Sequence, residues 1–275
     1  MLIVYESTIR LICFLSIFVV MALWEVFAPR RPLASAKTKR WFTNISIVVI
    51  NTFVLRGIFS VAAVGTALIA QEEKWGLVNH WHWPAWFALP FAVITLDFII
   101  YLQHVMFHAV PVLWRLHMVH HADLDLDVTS GSRFHPIEII LSMGIKLASV
   151  VLIGAPPEAV VMFEILLNMT AMFNHSNVQI PKKLDTLLRY FIVTPDMHLI
   201  HHSVLYEETN RNFGFNLPWW DRLMGTYRPE PKEGYLGLSI GLDQFRDPKG
   251  LTLPKILLLP FTGRTGGYSF TQDKD

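Results

Sequence analysis

Cysteine is almost absent: Cys13 is the single one in 275 residues. No internal disulfide can form, and Cys-rich zinc or iron–sulfur sites are excluded. Charge is scarce too, at 16% of residues, where an average soluble domain carries about 25%. The net charge is only +1, so no broad basic surface is available to hold a nucleic acid. No internal repeat and no flavin, haem or iron–sulfur motif is found.

What replaces charge is apolar sequence, 52% of the chain. A membrane-spanning helix needs roughly 20 such residues. Leu11–Phe27, Ile45–Ala70 and Ala85–Val105 each meet this, carrying only Glu25, Arg56 and Asp97. Arg10 alone is a poor start for a cleaved signal, so the first is read as an anchor. A fourth region, Ile137–Phe173, is interrupted by Gly154-Ala155-Pro156-Pro157 and reads as a helical hairpin, because proline cannot continue a helix interior. The expected fold is all-α: an integral membrane bundle of about four spanning helices or hairpins, with a histidine-rich helical cap, all one membrane domain over 1–275. The loop holding Arg30, Arg31, Lys37, Lys39 and Arg40 contains no acid. The positive-inside rule therefore puts it, and with it every histidine cluster, on the cytoplasmic side. Residues 231–275 read as a cytosolic tail.

Of 12 histidines, ten lie between 104 and 202. His104 and His108 are four apart, so both rings share a helix face. His117, His120 and His121 repeat that logic, as do His198, His201 and His202, whose helix start is legible in Thr194 as N-cap and Pro195 as first residue. His135, before Pro136, and His175 stand singly. Eight clustered imidazoles are costly to bury without metal, and they exceed what one four-coordinate ion uses. Two ions with four or five imidazoles each fit the number, although imidazole suits iron, zinc, copper and nickel alike. His80 and His82, among Trp81, Trp83 and Trp86, read instead as an interfacial belt.

Asp97 lies seven residues before His104, two turns along one stripe, with Tyr101 between them. Ligating histidines donate their second N–H to a carboxylate or carbonyl, so Asp97 is expected to orient a ligand histidine, the alternative being an ion pair with Arg56. Asn174 and Asp196, with Asn177, Asn212 and Asp221, are further supports of that kind. Asp123-x-Asp125-x-Asp127 lacks the Gly and Glu of a calcium loop and reads as a solvated turn. Lys146 and Glu164, at similar depths on the hairpin arms, read as a structural ion pair.

The three clusters, together with Arg133-Phe134-His135-Pro136, Asn174-His175-Ser176-Asn177 and the run from Asn210 to Tyr227, resemble the fatty acid hydroxylase/sterol desaturase superfamily over residues 85–230. Ala171, four residues before His175, stands where fatty acid hydroxylases proper often have another ligand, which makes the sterol-desaturase-like branch the nearer guide. The resemblance implies a catalytic region over 85–230, two iron ions, O2 as co-substrate, a lipid or sterol substrate and ligand roles for the clustered histidines with His175 and His135. Two electrons per turnover then come from an external donor, a separate reductase. A metal transporter or store would place its ligands along a pathway at mid-membrane. A zinc hydrolase would need fewer ligands and a carboxylate base.

Overall fold

In hydrocarbon, a backbone must satisfy its own hydrogen bonds, so long apolar stretches become helices. The computed structural model describes residues 2–262 and 264–269. Its helices are α1 (Glu6–Phe27), α2 (Lys37–Ile58), α3 (Ala63–Glu72), α4 (Leu77–His80), α5 (Ala85–Ala109), α6 (Pro111–His121), α7 (Pro136–Ile153) and α8 (Pro157–His175). The second half adds α9 (Lys182–Leu188), α10 (Pro195–His201), α11 (Tyr206–Thr209), α12 (Trp219–Leu223), α13 (Gly234–Gly237) and α14 (Leu253–Thr262). Among the described residues there is no strand, only isolated bridges pairing Pro29 with Val178 and Ser203 with Ile240.

Four regions are long and apolar enough to cross a bilayer: Glu6–Phe27, Lys37–His80, Ala85–Ala109 and Pro136–Ile153. On α1 the side chains of Leu15, Val19 and Leu23 remain half exposed, an outward apolar stripe that suits lipid rather than water. The chain is an integral membrane protein. The second region departs from the expected single span: it breaks between Ile58 and Ala63, and α3 packs on α7 and α8. The hairpin turns where the Gly-Pro run predicts. Gly154 caps α7 in the left-handed conformation, φ 67°, and Gly76 closes on it so tightly that a Cβ there would lie 2.2 Å from the Gly154 nitrogen.

At the opposite end of the hairpin the cap is built. Val110 is extended ahead of Pro111, which ends α5 and turns α6 back on it, since a residue before proline disfavours the helical region. The basic loop lies on this same side: Arg30 Nε donates to Asp196 at 2.7 Å and Arg31 to the Leu238 carbonyl at 3.0 Å. Asp123, Asp125 and Asp127 are not a solvated turn; all three are buried. Arg40 makes two bonds to Asp123 (2.8 and 2.9 Å) and one to Asp127 (2.7 Å), while Asp125 accepts from the backbone of Ala34 and Ser35. Burial alone would raise the Asp123 carboxyl, but Arg40 and Arg133 outweigh it and hold it at about 2. This knot ties the start of α2 to the segment that follows His121. Lys146 and Glu164 do pair, at 2.8 Å, and Arg10 joins them at 3.1 Å.

Candidate metal centre

Nine histidines converge in two groups. His104, His108, His117, His121 and His201 form one, and His120, His175, His198 and His202 the other, with each group's ligand atoms within 4.8 Å of one another. All nine are buried. The i, i+3, i+4 spacing splits rather than pools: His117 and His121 feed the first group and His120 the second, while His198 and His202 feed the second and His201 the first. The groups share a wall, where the rings of His121 and His202 stack at 4.5 Å.

Five rings are oriented by what their Nδ1 atoms touch. His104 meets the Phe213 carbonyl at 2.8 Å, His201 the Arg211 carbonyl at 2.8 Å and His175 the Ala171 carbonyl at 2.8 Å. His108 meets Asn210 Oδ1 at 3.1 Å and His117 meets Glu138 Oε1 at 2.7 Å. Each of these acceptors requires an N–H on Nδ1, which leaves the Nε2 lone pair free to bind a metal. The Nε2 atoms then crowd each other: His104 to His117 and His108 to His121 at 3.1 Å, His120 to His175 at 3.1 Å, and His175 to His198 at 3.0 Å. For His104 and His117, both fixed by their Nδ1 bonds, two lone pairs face each other, which is unfavourable unless a cation lies between them. Two nitrogens bound to one ion at about 2.1 Å, at right angles, stand about 3.0 Å apart. His201 Nε2 is buried with no partner at all. The donor set therefore fits metal ions, one per group. Burial, and after it the neighbouring rings, lowers His117, His120, His121, His198, His201 and His202 well below the usual imidazole value, so all are neutral and ready to ligate at pH 7.

His135 stands in neither group. Its Nδ1 accepts from Ile137 N at 3.2 Å, capping α7, and its Nε2 meets the Leu257 carbonyl at 3.1 Å. Asp97 touches neither a histidine nor Arg56. It accepts from Trp220 Nε1 at 2.7 Å and Leu217 N at 3.3 Å, tethering the loop before α12 to the middle of α5. Tyr101 bonds to Thr226 Oγ1 at 2.9 Å, and Asp196 is engaged by Arg30. Asn174 does reach a group histidine: its Oδ1 lies 2.5 Å from His175 Nδ1. Asp221 acts one step back, accepting from Phe213 N (2.8 Å) and Gly214 N (2.9 Å), which fixes the carbonyl that orients His104. Burial raises its carboxyl to about 6 against those bonds. The sequence reading missed Glu138, although a carboxylate in the first turn of an apolar helix is a signal in its own right.

A cavity of about 400 Å³ opens from His104 and His117 down between the membrane helices, past Phe107 and Phe134 and as far as Lys146. The model of the family described as fatty acid hydroxylase matches residues 89–226. The chain belongs to the fatty acid hydroxylase family. It is 27% identical to the ornithine lipid hydroxylase OlsE of Rhizobium tropici over 83% of the chain and 70% of that protein. It is 27% identical to the alkylglycerol monooxygenase of Xenopus tropicalis over 55% of the chain and 33% of that protein. It is 24% identical to human cholesterol 25-hydroxylase over half of each chain. The chain thus spans only part of these relatives. No solved structure matches it. All three of these relatives are oxidoreductases by name.

Proposed function

We propose that the chain uses O2 to oxidise a C–H bond of a membrane lipid or sterol, with two iron ions held by the nine grouped histidines. The observation that carries this is the pair of adjoining histidine groups, the first of which lines, through His104 and His117, a cavity that runs between membrane helices. When bound, the iron pair supplies the reduction of O2 and the attack on the C–H bond; the protein supplies position and dryness. His104, His108, His117, His121 and His201 hold one ion, and His120, His175, His198 and His202 the other. Glu138, Asn210 and the carbonyls of Phe213, Arg211 and Ala171 hold ligand rings in place. Phe107 and Phe134 keep the cavity wall apolar beside His117. The two electrons come from a separate reductase, and the basic loop on the histidine side supports a centre at the cytoplasmic face. A zinc hydrolase is disfavoured, since a catalytic zinc ion uses about three protein ligands and would leave most of the nine grouped histidines without a role.

The name of the Rhizobium relative makes polar membrane lipids the first class to assay. Purified, iron-loaded protein is given a reductase system, a lipid panel and 18O2. Label in the lipid supports hydroxylation, and an unlabelled double bond supports desaturation. Unchanged lipid with one metal ion or fewer per chain overturns the proposal.

A further inference from the structure

The cavity is less apolar than an acyl chain or sterol nucleus requires. On α7 the lining residues Glu138, Ser142 and Lys146 are four apart, one stripe facing the lumen. At its far end Glu164 takes Lys146 on one oxygen (2.8 Å) and Arg10 on the other (3.1 Å). Arg10 also reaches Glu6 at 3.2 Å on its outer side, but Glu6 does not line the cavity. At this end two cations and one carboxylate therefore face the lumen, with Glu138 two helical turns away beside His117. Lys146 has three N–H donors and a guanidinium five, so donors remain once Glu164 is bonded. Ionisable groups at this depth are costly, and by default they mark function. Three more buried atoms along the way have no partner, Asn51 Oδ1, Gln103 Oε1 and, at the histidine end, Glu138 Oε2, all on residues that line the cavity. They are acceptors waiting for a hydroxyl or an amide.

We infer that Arg10 and Lys146 form a subsite for the anionic oxygen, carboxylate or phosphate, of an amphiphilic lipid. The distance from this subsite to the histidines selects which C–H bond is presented. Eight residues of helix separate Lys146 from Glu138, about 12 Å at 1.5 Å per residue. The reacting carbon then lies about that far from the anion, with a donor group between them opposite Gln103. This rests on the reading of the site as a lipid oxidase, yet its test needs no turnover.

Metal-loaded protein in neutral detergent is titrated with lipids of matched chains and read by native mass spectrometry: phosphatidic acid, an N-acyl amino acid and neutral diacylglycerol, with inorganic phosphate as competitor. Wild type is expected to bind both anionic lipids at least tenfold more tightly than the neutral one. Lys146→Met should erase that preference, Lys146→Arg should keep it, and neither should change metal content. Equal affinity of wild type for neutral and anionic lipid overturns the inference without any variant. So does a preference that survives Lys146→Met, or inorganic phosphate displacing the lipid at equal concentration, which would make the subsite one for free anion. Where turnover is found, the oxidised position in Lys146→Met should scatter from the single wild-type one. Lipid preference without 18O incorporation would instead sink the oxidase reading and leave the subsite standing.

Discussion

Glu138 offers the sharpest test of the centre's construction. Its Oε1 stands 2.7 Å from His117 Nδ1, and both residues are almost wholly buried, at 3% and 1% exposure. A hydrogen bond to a charged group contributes about 1.5–3 kcal/mol, and removing the outer partner of a ligand histidine weakens metal binding by about 10–100-fold. Glu138→Gln keeps an acceptor for the His117 N–H and loses the charge, so its loss should lie near tenfold. Glu138→Ala leaves that N–H buried and unpaired and frees the ring to rotate, so its loss should approach a hundredfold. The affinity is read by competing a calibrated chelator against loaded protein, with Gln103→Ala as control, because Gln103 lines the same cavity but bonds to Ser142. An affinity for Glu138→Ala within twofold of wild type would refute the claim that this carboxylate orients a ligand.

Three further outcomes are expected. His201→Ala and His120→Ala should each fall from two metal ions per chain to about one, measured by elemental analysis, because the two residues belong to different groups; either variant keeping two would remove that residue from the ligand set. Arg40→Leu strands Asp123 and Asp127 in a buried site, and such a loss costs about 3–5 kcal/mol; an unchanged melting temperature in detergent would contradict the knot's importance. Acid should act in two stages on the cap, followed by tryptophan fluorescence. The histidines are held below their unfolded value of about 6.5, so metal-free protein loses stability as the pH falls through that value. Asp123, depressed to about 2, contributes about 2 kcal/mol that is present above pH 4 and lost as the pH falls toward 2. A metal-free cap equally stable at pH 7 and 5 would refute the first stage.

Local rules made part of this architecture readable. The turn at Gly154 and the Thr194 cap, whose Oγ1 accepts from Met197 N, depend on neighbours in sequence, and so does the facing of histidines three and four apart. What escaped depends on distant partners. Nothing in Phe59-Ser60-Val61-Ala62 breaks a helix by composition; the break after α2 answers to the packing of α3 on the hairpin. Asp97 finds Trp220, 123 residues away, and the aspartates after His121 are buried only because Arg40 arrives from α2. Three of the grouped rings are oriented by backbone carbonyls, which every residue possesses, so no side-chain pattern could mark Phe213, Arg211 or Ala171. His135 sits in the right motif, and its proline neighbour makes it a cap.

The way α6 and α10 each serve both groups has a consequence for assembly. His117 and His121 cannot settle around one ion without bringing His120 to the neighbouring site, and His201 does the same for His198 and His202. Filling the first position thus pre-orders the second, whose entropic cost of organisation has already been met. Metal uptake should follow a single steep isotherm, with singly loaded chains scarce at every intermediate concentration. A cell starved of metal would then hold two populations, full and empty, rather than a uniform half-loaded pool.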